Sequence, residues 1–178
     1  MRNLIIDIGN TRIKTALFEG EKLLEENVYE TLEVALVYWK SISFERCLVS
    51  SVRWSHTELS SILPFNFIFL NSETKVPVKN AYGTPATLGL DRIAGAIGAW
   101  AMSGKGPILA IDLGTCITFD LIDGNNSYLG GAISPGLMMR AKAMHEHTAR
   151  LPLVDPKVKP NQLIGDNTIT CMQIGIWY

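Results

Sequence analysis

Asp112-Leu113-Gly114-Thr115, standing where the apolar run Pro107–Ile111 ends, decides the fold, because it repeats the way the chain opens. There the apolar run Asn3–Ile8 carries Asp7 and passes into Gly9-Asn10-Thr11. Each copy sets a carboxylate at the end of a buried strand, then a Gly that lets another backbone come close, then a hydroxyl.

Working outward from the first copy, Ile13, Thr15 and Leu17 alternate with Arg12, Lys14 and Ala16, a period of two that predicts a strand over Arg12–Phe18. Gly20 turns the chain into a third strand near Leu23–Tyr29. Thr31 can cap a helix whose apolar positions Leu32, Leu36 and Trp39 recur at helical spacing. A strand at Cys47–Val52, a helix at Ser55–Leu63 and a strand at Phe67–Leu70 complete the order βββαβαβ. A helix is expected over Pro85–Met102, with Thr84 as N-cap and Pro85 in the first helical position.

Around the second copy the order returns. Ile117–Ile122 is the returning strand, Asp123-Gly124-Asn125-Asn126 a hairpin turn, and Ser127–Ile133 the third strand. Ser134 as cap and Pro135 in the first position start a helix over Leu137–Arg150. After the loop Leu151–Gln162 only the start of another helix, Asn167 to Tyr178, follows. The expected fold is therefore α/β, a βββαβαβ unit used twice with the second copy incomplete. The expected domains are residues 1–104, including a linking helix, and 105–178. By this internal logic the chain is truncated or atypical at its C-terminus.

Composition narrows the class. With 47% hydrophobic residues in 178, there is enough apolar material for a core. A net charge of −1 gives no reason to expect nucleic acid or an anionic membrane surface as partner. Cys47, Cys116 and Cys171 are widely separated and form no CxxC pair, which disfavours zinc and disulfide frameworks and fits a reducing compartment. Asp7 interrupts the first apolar run, so it is too short for a signal peptide, and no stretch approaches the ~18 apolar residues of a membrane helix. A soluble, cytoplasmic protein is expected.

The chemistry sits at the two turns. Polyphosphates need backbone N–H groups, hydroxyls and a cation, and Asp7 and Asp112 can supply oxygens to a hard cation directly or through water. Two such turns facing each other would grip a polyphosphate from both sides. Lys14 can add positive charge for a transferring phosphoryl group. One Asp-x-Gly-Thr turn alone is explained by turn geometry; two, each opening a βββα unit, point to function. The Gly98–Lys105 stretch fails as a Walker A loop because its spacing is one residue too long and Gly106 replaces the Ser/Thr, and there is no GxGxxG.

Gly89-Leu90-Asp91-Arg92 sets an acid beside a base near a helix start. A kinase acting on an alcohol wants a carboxylate to accept the hydroxyl proton, and a guanidinium suits an acidic substrate. Equally, Asp91 can be a first-turn helix acid favoured by the macrodipole, beside an exposed Arg. His145 and His147 are two apart and share no helix face, so a solvated helix end is the better reading. The four Trp residues read as core or interface, and Lys157 and Lys159 as a solvated loop.

The ordered blocks Asp7-x-Gly9-Asn10-Thr11-x-x-Lys14, Gly89-x-Asp91-Arg92, Asp112-x-Gly114-Thr115, Gly130-Gly131-x-Ile133-x-Pro135-Gly136 and Gly165-x-Asn167-Thr168 resemble those of type III pantothenate kinases. The resemblance runs from residue 1 to about 176. It implies the ribonuclease H-like, actin-like fold of the acetate and sugar kinase/Hsp70/actin superfamily, with phosphoryl transfer from ATP to the primary hydroxyl of pantothenate, the first step of coenzyme A synthesis. By position, Asp91 would be the general base. Tyr82, Gly89, Leu90, Arg92 and Thr168 would contact pantothenate. Asp7, Ile8, Gly9, Asn10, Thr11, Arg12, Ile13 and Lys14, with Gly114 and Thr115, would bind ATP. Asp112 would hold a monovalent cation, potassium or ammonium, and Mg²⁺ would accompany the nucleotide. Thr168 would reach pantothenate in the neighbouring subunit of a homodimer whose sites lie at the interface. Family members continue past Tyr178, so the adenosine side of the site is expected to be affected. Two rivals keep the fold: a kinase for another small acid, and a non-catalytic regulatory relative.

Overall fold

A computed structural model describes residues 1–178, which form two compact units, Met1–Lys75 and Val76–Tyr178. In the first, β1 (Arg2–Ile8), β2 (Ile13–Glu19) and β3 (Lys22–Tyr29) make an antiparallel meander, followed by α1 (Leu32–Ser41), β4 (Arg46–Ser51), α2 (His56–Ile62) and β5 (Ile68–Phe69). The sheet runs β3-β2-β1-β4-β5, with β4 parallel to β1 and β5 parallel to β4. The expected βββαβαβ order is thus present here, with element ends within about two residues of those read from the sequence.

Period two explains this core. Leu4, Ile6 and Ile8 leave one face of β1 and are wholly buried with Ile13, Val49, Leu59 and Trp39. Each such large side chain contributes about 1.5–3 kcal/mol of transfer free energy. Thr31 caps α1 by accepting from the Val34 N–H. Ser55 and Glu58 form a reciprocal capping box at α2. Asn3, Ile5 and Asp7 project from the other face of β1 and are only partly covered.

The second unit holds β6 (Lys79–Asn80), α3 (Leu90–Met102), β7 (Ile108–Leu113), β8 (Cys116–Ile122), β9 (Ser127–Pro135), α4 (Leu137–Glu146) and α5 (Thr168–Trp177). Its sheet runs β6-β9-β8-β7, with β7-β8-β9 an antiparallel meander and β6 parallel to β9. Helix α3 packs on β7 and β8 through Ile93, Ala96 and Trp100, which meet Ile122 and Tyr128. A separate cluster of Ala141, Val154, Met172 and Ile176 joins α4 to α5. Asn167 caps α5 in a box with Thr170, as the expected helix start at Asn167 requires.

Two helix starts differ from the sequence reading. Pro85–Thr87 is an isolated 3-10 turn, and α3 begins only at Leu90, because Leu88 and Gly89 are extended (ψ 127° and 125°). The Thr84 hydroxyl caps no backbone N–H; it accepts from Thr87 Oγ1. Ser134 and Pro135 remain in or beside β9, and α4 starts after Gly136, since strand pairing with Cys116 and Ile117 holds them extended. That helix also ends at Glu146, short of the expected Arg150. Strand β6, two residues long, carried no sequence signal.

Candidate active site

In the second unit the start of α3 brings the Gly89–Arg92 block to a cleft. Gly89 is the cap residue, and Asp91 Oδ1 accepts a hydrogen bond from the Arg92 backbone N–H at 2.9 Å. A Cβ added at residue 89 would lie 2.6 Å from that same oxygen. A side chain at residue 89 would thus push the Asp91 carboxylate from this place. Asp91 is exposed to solvent, and Leu90 and Arg92 are half-buried.

The Arg92 side chain turns inward onto a residue the motifs did not single out. Its Nε donates to Asp120 Oδ1 at 3.1 Å and more weakly to Oδ2 at 3.4 Å, and its Nη2 donates to Oδ1 at 2.7 Å. Tyr128 Oη donates to the same Oδ1 at 2.7 Å. Asp120 is 2% exposed, so its charge is tolerable only because it is paired and hydrogen-bonded. The hydrogen bonds that Arg92 donates to Asp120 hold the Arg92 pKa above its ordinary value. Burial, then the bond to Asp120, pushes the Tyr128 phenol up. Tyr82 lies 5.9 Å from the guanidinium, ring centre to carbon, and packs against Tyr128.

A cavity of about 350 Å³ is lined by Asp91, Arg92, Asp112, Thr118 and Asp120, with Ala96 and Ile111 among its apolar walls. Asp112 stands directly across from Thr118 in the pairing of β7 with β8. The turn itself is only Gly114-Thr115, since Asp112 and Leu113 still belong to β7. It is closed by the Gly114 N–H donating to the Cys116 carbonyl at 3.0 Å, and braced from outside by the Gly136 N–H donating to the Thr115 carbonyl at 3.1 Å. A Cβ at residue 136 would lie 2.3 Å from the Thr115 carbonyl oxygen and 2.6 Å from that of Gly114. That close approach of two backbones accounts for glycine at the end of the fourth block.

The first turn lies in the other unit. The Gly9 N–H donates to the Arg12 carbonyl at 3.0 Å, and Asp7 is the cross-strand partner of Lys14. Asn10, Thr11, Arg12 and Lys14 are exposed, whereas Ile8 and Ile13 are fully buried in the core. Ile8 and Ile13 can therefore meet a ligand only through their backbone. Thr168 is the exposed first residue of α5.

The structure thus gathers Asp91, Arg92 and Asp112 around one cavity, sets Tyr82 beside Arg92, and leaves Thr168 on the α5 terminus. Hard carboxylate oxygens at Asp112 fit an alkali or ammonium ion, although no group of three or more His, Cys, Asp or Glu side chains forms a ready-made metal centre. His145 Nδ1 instead engages the Leu151 carbonyl at 2.8 Å. Asp120 and Thr118, which line the cavity, and Tyr128, which bonds Asp120, lie outside the five motif blocks. The signal was there: Asp120 is a lone acid in the apolar strand Ile117–Ile122, two residues from Thr118 and so on the same face.

Known proteins bear on this arrangement in three ways. The family model described as type III pantothenate kinase matches residues 3–178. A type III pantothenate kinase from Flavobacterium johnsoniae is 44% identical over 181 residues, covering 97% of this chain and 73% of the relative. One from Christiangramia forsetii is 43% identical over 182 residues, covering 98% and 74%. The chain thus spans about three quarters of the length of these relatives. Among solved structures, a Campylobacter jejuni protein titled as a Baf family transcriptional activator aligns with a TM-score of 0.57 at 21% identity, over 97% of this chain and 72% of that one, a likeness of fold. With the match running through every block around the two turns and the cavity, this chain belongs to the type III pantothenate kinase family.

Proposed function

We propose that this chain transfers the γ-phosphoryl group of ATP to the primary hydroxyl of pantothenate, giving 4'-phosphopantothenate, the first step of coenzyme A biosynthesis. The observation that carries the reading is the convergence of Asp91, Arg92 and Asp112 on one cavity in a chain of this family. Asp91, exposed at the cavity wall and fixed by its own turn of helix, accepts the proton of the attacking hydroxyl. Arg92 meets the pantothenate carboxylate, with Gly89, Leu90 and Tyr82 around it. Residues Asp7 to Lys14, with Gly114 and Thr115, bind the ATP phosphates, where exposed Asn10, Thr11 and Lys14 supply hydrogen-bond donors and a positive charge. Asp112 holds potassium or ammonium, which would neutralise phosphate charge, and Mg²⁺ accompanies the nucleotide.

The fold reading belongs with this function. We assign the chain to two copies of one ribonuclease H-like, actin-like unit, with the boundary between Lys75 and Val76 rather than after residue 104, because α3 packs on β7 and β8. Support comes from the matching meanders β1-β2-β3 and β7-β8-β9, each followed by a helix. We further assign a homodimer in which Thr168 reaches the neighbour's pantothenate. Leu163 and Ile164, 71% and 84% exposed just before Thr168, are apolar surface suited to such a contact. A cytoplasmic location suits an ATP-dependent enzyme with three free thiols; no helix is long and apolar enough to cross a membrane.

The test is ATP-dependent phosphorylation of pantothenate by this chain with Mg²⁺ and with potassium, ammonium or sodium in turn. Turnover that requires potassium or ammonium supports the reaction and the cation together. Preference for a different small acid would defeat the substrate assignment.

A further inference from the structure

The buried Arg92–Asp120 pair uses only one edge of the guanidinium. An arginine carries five N–H donors. Asp120 engages the Nε–H and one Nη2–H, leaving the two N–H groups of Nη1 and the second of Nη2 unclaimed by any carboxylate. Those remaining donors form the outer edge of a planar fork whose shape matches a second carboxylate. The Tyr128 hydroxyl, with its pKa raised and so protonated, donates to Asp120 Oδ1 and fixes that carboxylate from behind. Tyr82 covers the guanidinium on another side. Both charged side chains are nearly buried, at 9% and 3% exposure, and both line the cavity that Asp91 also lines.

We propose that Asp120, held by Tyr128, is a positioning residue that orients the Arg92 guanidinium so that its free edge receives the carboxylate of the substrate. This inference rests on the reading of Arg92 as the contact for an acidic substrate. It differs from a charge-quenching role in sign. If Asp120 only neutralised Arg92, removing its charge would leave a more cationic cavity and tighter binding of an anion. If it positions Arg92, removing its charge frees the guanidinium to rotate, and binding weakens.

The experiment is calorimetric titration of the chain and its variants with pantothenate and, separately, with a non-hydrolysable ATP analogue. Asp120→Asn keeps size and one acceptor oxygen; it is expected to weaken pantothenate binding about tenfold or more, as loss of a charged hydrogen-bond partner does. Nucleotide affinity should stay within about twofold, well inside the same range of magnitudes. In the Arg92→Gln background, Asp120→Asn should add no further loss, because the two act as one unit. If Asp120→Asn does not fold, Tyr128→Phe decides, with an expected loss of about threefold for one neutral hydrogen bond. Unchanged or tighter pantothenate binding overturns the proposal, and so does a parallel loss of nucleotide binding. Absence of pantothenate binding by the unaltered chain overturns it together with the substrate assignment, whereas binding that the variants leave untouched overturns it alone.

Discussion

Asp7 and Lys14 are cross-strand partners at the mouth of the β1–β2 hairpin, and Asp112 and Thr118 hold the corresponding place on β7–β8. In both hairpins the acid is the last residue but one of the strand that enters the turn, and its polar partner lies within the first three residues of the strand that leaves it. Antiparallel pairing brings such partners onto one face of the sheet, so the side chains stay together however the turn between them flexes.

Lys14→Met should therefore separate catalysis from stability. The exposed cross-strand pair is worth about 0.2–1 kcal/mol, so thermal unfolding should barely move. Loss of positive charge at the phosphoryl group should lower kcat by about 10²–10³. A fall in melting temperature without a fall in kcat would show that Lys14 serves the hairpin alone.

Asp91→Asn distinguishes the general base from the helix acid. As a first-turn acid, Asp91 contributes about 0.3–1 kcal/mol through the macrodipole. As the base, its loss should cost about 10²–10⁴ in kcat. Paired kinetics and denaturant unfolding give the answer, since only the first role moves the unfolding midpoint and only the second the rate.

Gly136→Ala should damage the second turn from outside. The added methyl meets the carbonyl oxygens of Thr115 and Gly114, both backbone, so the turn must shift rather than a flexible side chain. A destabilisation of about 1–3 kcal/mol is expected from overpacking, with weaker nucleotide binding. Gly124→Ala, where an added Cβ has open space, is the control and should change neither.

Alkaline pH should lower the stability of the chain as two groups with raised pKa lose their protons. Burial pushes the Cys47 thiol from 9.0 up to about 12. A group whose folded pKa is raised binds its proton more tightly when folded, so its contribution is complete below pH 9.0 and is lost as pH climbs towards about 12. Tyr38, raised from 10.0 to about 12 chiefly by burial, adds a similar loss that begins above pH 10.0. Denaturant midpoints measured against pH should start to fall near 9.0 in the parent chain. In Cys47→Ala the decline should start nearer 10.0, where the contribution of Tyr38 begins to be lost.

Much of this protein could be read from its residues in order. The two Asp-x-Gly turns, the alternation of Ile13, Thr15 and Leu17, the Thr31 and Asn167 caps and the five motif blocks are local or periodic signals. Their physics, the pleat of a strand and the unpaired N–H groups of a helix start, acts within a few residues. The helix starts at Leu90 and after Gly136 are not legible locally, because Ser, Thr and Pro suit the end of an extended segment as well as a helix N-terminus. What held Ser134 and Pro135 extended was pairing with Ile117 and Cys116, seventeen and nineteen residues back in the chain.

The sequence by itself thus determined the strand–turn–strand units, the family and the residues that carry charge. Only the tertiary structure decided where those charges go. Arg92 and Asp120 are 28 residues apart, yet the packing of α3 on β8 buries them together. No local rule specifies such a pair. Its formation depends on removing both groups from water at once, and that cost is offset only when the whole unit has closed around them.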